Sequence, residues 1–157
     1  MPSPSPVKKS SHRLSERVFR SIYSTVPRLC VDLIVMTKDG VVLSKRDIPP
    51  AKGMWHFPGG TVYFRERLTD AVKRVGREEL GVRLRVEKKL SALEFSPQSG
   101  FGHAVSIVYL VTIVSGTLRG SWQAREVGAY WKPPRHMIPE HRRFFAEFFK
   151  NKKSVWG

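Results

Sequence analysis

One stretch constrains the fold of this chain more than any other. A Gly59-Gly60 pair closes a long irregular segment, residues 47–60, that also holds Pro49, Pro50, Gly53 and Pro58. A helix is predicted directly after it, over Leu68–Leu80, with Leu68, Ala71, Val72 and Val75 on one apolar stripe and Gly81 where a helix-ending glycine belongs. Two carboxylates, Glu78 and Glu79, fall in its last turn, where the helix dipole disfavours negative charge. Glu78 lies four residues after Arg74, so an ion pair is easy, whereas Glu79 lies four after Val75 and turns toward the sheet side. Something positive must compensate the pair. A hard cation such as Mg²⁺, held by few carboxylates plus water and phosphate, would do so. A solvated pair balanced by Arg74, Arg77 and Arg83 would do so too.

The remaining pattern places this helix in a layered domain. Residues 1–11 are Pro/Ser-rich with Lys8 and Lys9 and read as a disordered basic tail; 12–157 reads as one domain. Leu14, Val18, Phe19 and Ile22 predict a short amphipathic helix over His12–Tyr23, with Ser15 as N-cap. Two apolar runs, Leu29–Thr37 and Val41–Arg46, flank Asp39-Gly40, a hairpin signal. Strands are predicted at Val82–Val86, Leu90–Phe95, Ala104–Val114 and Ala129–Trp131, and a closing helix at Pro139–Lys150 carries Phe144, Phe145, Phe148 and Phe149. Strands grouped around few helices imply a mixed α/β sandwich of the α+β type, not a doubly wound parallel sheet.

Charge narrows the partners. Lys and Arg number 28 against 13 Asp and Glu, a formal net charge of +15. Such a field favours nucleotides, nucleic acid, polyphosphate or an anionic membrane face. No apolar run approaches the ~18 residues of a membrane span, and the opening Met1–Pro6 has no secretory apolar core. A single cysteine, Cys30, cannot form an internal disulfide and suits a reducing, cytoplasmic setting.

The spacing Gly60-x5-Glu66-x7-Arg74-x3-Glu78-Glu79-x-Gly81-Val82, preceded by Trp55-His56-Phe57-Pro58-Gly59, resembles the Nudix box. The resemblance implies a Nudix-like α/β/α sandwich with a mixed sheet over about residues 29–150. It also implies a metal held by the Gly59 carbonyl, Glu78 and Glu79, and a loop and helix braced by Glu66 and Arg74. Glu79 and Arg74 thereby join the catalytic set. Two positions depart from the family: its first carboxylate after Arg74 is Val75, and the next residue is Gly76.

The GDP-mannose mannosyl hydrolase branch of that family also lacks this carboxylate. The flanks are similar to it, from Ser24 to Val35 and from Leu43 to Arg46, which puts Asp32 and Arg46 at substrate-binding positions. By resemblance the expected activity is Mg²⁺-dependent (Mn²⁺ also serving) hydrolysis of a nucleoside diphosphate linked to another moiety. The resemblance implies a GDP-mannose-type sugar nucleotide as leading substrate, attacked at the anomeric carbon, and a homodimer. That branch's histidine base is absent; Glu126 stands in its region and is the candidate base or ligand, or else pairs with a nearby cation. Arg46 suits a bidentate grip on diphosphate, Arg65 and Arg67 could contact phosphates, and Asp32 could bind a substrate hydroxyl or only Arg28 or the N-terminal segment. His103 is a weaker stand-in for the base. Competing readings are an ordinary Nudix pyrophosphatase and a non-catalytic nucleotide- or RNA-binding module; nucleic acid is not favoured.

Overall fold

The computed structural model describes residues 13–155, so the tail expected at 1–11 lies outside the described residues. The axis of the fold is β1 (Arg28–Thr37). Its side chains are apolar on both faces, as in a strand covered on both sides. Val31, Leu33 and Val35 enter one core and Cys30 and Ile34 the other, all buried. A tight turn leads to β2 (Gly40–Lys45), antiparallel to β1. Gly40 has φ +118°, and a Cβ there would strike the Tyr130 carbonyl, so turn and packing both demand glycine.

The short strands β3 (Trp55–His56) and β4 (Gly59–Thr61) pair with β2 and β1. The long strands β5 (Val82–Glu94) and β6 (Ala104–Gly116) pair with each other, and β7 (Glu126–Tyr130) lies along β2. The result is a seven-stranded mixed sheet of order β3-β2-β1-β6-β5, with β4 on β1 and β7 on β2. The β1–β6 pairing is parallel; the other strand pairings are antiparallel.

Besides α1 (Glu16–Tyr23), whose N-cap Ser15 accepts from the Val18 N–H, two helices cover the sheet. Ala71, Val72 and Val75 of α2 (Leu68–Val75) pack on Val31, Leu33 and Val35. Phe145 of α3 (Pro139–Val155) packs with Ile138, Cys30 and Ile34 on the opposite face. This is the α/β/α sandwich expected from the sequence.

Three local expectations change. The predicted helix 68–80 is α-helical only to Val75; Gly76–Leu80 forms a wider π-helical turn, closed by Gly81 at φ +68°. Gly76 runs so close to β5 that a Cβ would come within 2.5 Å of Leu84 Cδ1. The two strands read at 82–86 and 90–95 are one, because register slips at Arg83/Leu84, Val86/Lys88 and Lys89/Ser91 carry the polar middle without breaking the ladder. The last strand begins at Glu126 rather than Ala129, since all five residues of β7 find partners on β2.

Candidate active site

β4 sets the site's floor. The bonds Leu33 N–H to Pro58 O and Val62 N–H to Leu29 O fix which β1–β4 pairs exchange hydrogen bonds. By antiparallel alternation, Asp32–Gly59 and Cys30–Thr61 are the pairs that do not. The carbonyls of Gly59 and Thr61 therefore turn away from β1 on the same side. That side faces α2, because Thr61 O accepts from Arg74 Nη2 at 2.8 Å. Gly59 itself is enforced by Asp32, whose carboxylate a Cβ would strike.

Arg74 is the brace of the box. It donates to both Glu66 oxygens (2.7 and 3.0 Å), to Glu78 Oε2 (3.2 Å) and to Thr61 O, and lies 3.8 Å over the Tyr63 ring. Glu66 also accepts from Tyr63 N. Burial would raise the Glu66 carboxyl, but the Arg74 and Tyr63 hydrogen bonds outweigh it and hold it below the usual carboxylate range. Arg74 thus ties the box loop, β4 and the π turn together, the geometry of a positioning residue.

Glu79 reaches from the π turn to Ser121, whose hydroxyl donates to Oε2 at 2.8 Å. The Ser121 loop is tied to the end of β2: Asp47 N donates to Gln123 O, and Asp47 Oδ2 accepts from Arg125 N at 2.7 Å. Arg46 precedes that anchor. Its guanidinium donates to the Pro50 and Pro49 carbonyls at 2.6 and 3.2 Å and lies 5.2 Å from the Phe101 ring. Burial lowers its pKa, Arg28 lowers it further, and Glu79 opposes both, so Arg46 and Glu79 share one electrostatic environment.

Arg28 is a second cation beside Phe101, donating to Thr61 Oγ1 (3.1 Å), Cys30 Sγ (3.2 Å) and Phe101 O (3.3 Å). Despite Arg28, burial pushes the Cys30 thiol up to about 11, which makes it inert.

Other expected residues land elsewhere. Asp32 is buried and bonded to His141 Nε2 at 3.0 Å, not to Arg28 or the N-terminal segment. His141 Nδ1 accepts from Phe57 N at 3.0 Å, so α3 holds both β1 and the lead-in to Gly59. Glu126 lies opposite Lys45, 3.3 Å from its Nζ and 61% exposed, outside the Glu66–Arg74–Glu78 brace. Arg65, at φ +63° on the exposed loop, folds over its neighbour Phe64. His103 sits at the surface 3.7 Å from Glu94.

Sequence reading missed Ser121 and His141, which carry no local pattern, and the bonds that tie Arg28 to Cys30, Thr61 and Phe101. It also missed His56. The His56 Nδ1–H donates to Phe57 O at 2.7 Å while Nε2 is buried without a partner. Burial and the nearby His141 push its pKa down to about 4.

Among the described residues, no three His, Cys, Asp or Glu side chains cluster as a closed metal cage. What α2, the π turn and β4 offer is sparser: the Gly59 carbonyl turned toward the helix, Glu78 and Glu79. Oxygen donors in that number fit a hard divalent cation that keeps water and takes substrate phosphate as further ligands.

The NUDIX domain family model matches residues 26–151. A relative, the low-salt glycan biosynthesis protein Agl8 of Haloferax volcanii, is 32% identical over 142 residues, covering 87% of this chain and 91% of that protein. An ADP-ribose pyrophosphatase of Methanocaldococcus jannaschii is 32% identical over 100 residues, 64% of this chain and 59% of that protein. Among solved structures, a MutT NUDIX hydrolase from Burkholderia pseudomallei superposes with a TM-score of 0.70 at 27% identity, covering 77% of this chain and 97% of that one. With the braced box, the paired carboxylates and the sandwich already in view, the chain belongs to the Nudix hydrolase family.

Proposed function

We propose that this Nudix hydrolase acts on a nucleoside diphosphate linked to a sugar, with Mg²⁺ or Mn²⁺ as its metal, and that a GDP-mannose-type sugar nucleotide is the leading substrate. The observation that carries this reading is Val75. The family's first carboxylate is replaced by a buried side chain, 1% exposed and packed in the α2 core beneath Gly60. That leaves Glu78 and Glu79 as the carboxylates of the helix and its π turn, with the Gly59 carbonyl turned toward α2. That set suits neutralising a departing diphosphate better than assembling several metals around an attacked phosphorus.

Gly59, Glu78 and Glu79 would hold the cation, which when bound supplies charge stabilisation to the diphosphate. Arg46 adds a planar guanidinium to the same task, and Arg65 and Asp32 remain substrate-side proposals of lesser reach. Water attacks the anomeric carbon, the carbon–oxygen bond to the diphosphate breaks, and the water proton passes to a carboxylate. Glu126 is the candidate for that proton. The Haloferax relative's name, which concerns glycan biosynthesis, supports a sugar-linked substrate.

The second reading, cleavage between phosphorus atoms, is favoured by the Methanocaldococcus relative's pyrophosphatase name. Turnover in ¹⁸O-water separates the two. Label in the sugar supports attack at carbon; label in phosphate replaces it with the pyrophosphatase reading. The expected homodimer is supported by the exposed apolar residues Leu14, Val18, Ile22, Val26 and Leu29, and light scattering on the eluted protein tests it.

A further inference from the structure

Phe57 and Pro58 join β3 to β4, where the chain exchanges β2 for β1 as its strand partner. Pro58 has no N–H, and its carbonyl accepts from Leu33 N at 2.8 Å. The other two backbone groups of the joint go to side chains. Phe57 N–H donates to His141 Nδ1 at 3.0 Å, and Phe57 O accepts from His56 Nδ1 at 2.7 Å. Every backbone hydrogen-bonding group of the joint is therefore tied down. The residue that follows is Gly59, whose place opposite Asp32 leaves its carbonyl free of β1.

These bonds fix the state of the His141 ring. A backbone N–H only donates, so Nδ1 carries a lone pair and the ring proton sits on Nε2. From there it is donated to Asp32 Oδ2 at 3.0 Å. The ring is buried between Phe57 and Phe95, with ring centres 4.7 and 5.4 Å away, which limits its rotation. Asp32 in turn lies against Gly59, where a Cβ would strike Oδ1. The contacts close on themselves: Asp32 to His141, His141 to Phe57, and two residues along the chain to Gly59, back at Asp32. A glycine has wide backbone freedom of its own, and this circuit removes it. We propose that His141, oriented by Asp32, is a positioning residue for the cation: it holds the Phe57–Pro58 joint so that the Gly59 carbonyl stays turned toward α2. The assignment rests on the reading that this carbonyl is a ligand of the metal. Asp32 takes its part through His141, without touching substrate.

The test is Mn²⁺ binding to the substrate-free full chain, read by electron paramagnetic resonance, with melting temperatures alongside. His141→Gln keeps a donor for Asp32 but leaves Phe57 N–H without an acceptor. His141→Asn is shorter, so its carbonyl can accept from Phe57 N–H while Asp32 is left behind. The Gln variant should bind Mn²⁺ about tenfold more weakly, as when a group that orients a ligand is lost, and the Asn variant should stay within about threefold of wild type. Both should melt lower. Equal losses in the two variants, losses that follow the melting temperature, or wild-type affinity in His141→Gln would each reduce His141 to a packing role and overturn the assignment. A second measurement needs no variant. Long-range ¹H–¹⁵N spectra of the metal-free wild type at pH 7 should show His141 protonated on Nε2 alone and His56 on Nδ1 alone, and Mg²⁺ should move the Phe57 amide resonance. A His141 proton on Nδ1, or a Phe57 amide indifferent to Mg²⁺, would also overturn it. Glu79→Gln tells this assignment from the metal reading beneath it. If Glu79→Gln binds Mn²⁺ like wild type, both fall; if it binds weakly while His141→Gln does not, only the role of His141 falls.

Discussion

At the scale of single residues, the site depends on charge held in place by a few hydrogen bonds. Glu79→Gln keeps the shape and removes the charge, so it should lower kcat at least about a hundredfold, as expected when a group stabilising the transition state is lost, with an unchanged melting temperature. Ser121→Ala leaves the carboxylate but releases its orientation, at a cost of about 1 kcal/mol or some fivefold in kcat/KM. Steady-state kinetics with calorimetry on both variants checks the ordering; equal losses would remove the distinction between ligand and support. His56 makes a pH prediction. Its folded pKa is depressed to about 4 from an ordinary value of 6.5. As pH falls through that window the unfolded chain takes up a proton that the folded chain refuses, so stability declines from pH 6.5 toward 4 by about 1–3 kcal/mol. Urea titrations at pH 7 and pH 5 should show the loss in wild type and a smaller one in His56→Gln.

At the scale of elements, the telling feature is the change of helical pitch at Gly76. Position 75, read along a continuous α-helix, lies one turn before Glu79 and would bring a restored carboxylate to the same metal. The structure turns Val75 into the core with Val31, Leu33 and Val35, and Glu79 leaves from a wider turn toward Ser121. Val75→Glu should therefore bury an unpartnered carboxylate and destabilise the protein by about 3 kcal/mol or more. Chemical denaturation measures this. A variant as stable as wild type, with tighter Mn²⁺ binding by electron paramagnetic resonance, would show instead that the helix can rotate the new side chain outward.

At the scale of the whole molecule, the net charge of +15 bears on association more than on the fold. Raising KCl from about 50 to 500 mM shortens the screening length severalfold, so KM for an anionic substrate should rise while kcat stays nearly constant; a flat KM would confine the effective charge to Arg28 and Arg46. Much of the architecture was legible in the chain because its signals are local: the Asp39-Gly40 turn, the stripe from Leu68 to Val75, the Gly81 stop and the Glu66–Arg74 spacing. The rest was not, because its meaning depends on distant partners. Nothing near Asp32 announces that His141 will bond it, and nothing near Ser121 that it will meet Glu79. Polar middles such as Glu87–Lys89 read as breaks until β6 supplies the ladder that carries them through. The Asp32–His141 bond spans 109 positions, and it has a consequence for the order in which the molecule can be made. A chain leaving the ribosome has its whole Nudix box long before it has α3, yet the lead-in to Gly59 waits for the His141 ring, and β1 waits for β6. Contacts of such sequence separation make for slow, late-committing folding, so activity should arrive in one step once α3 has been made, and a nascent chain that stops short of His141 should hydrolyse nothing.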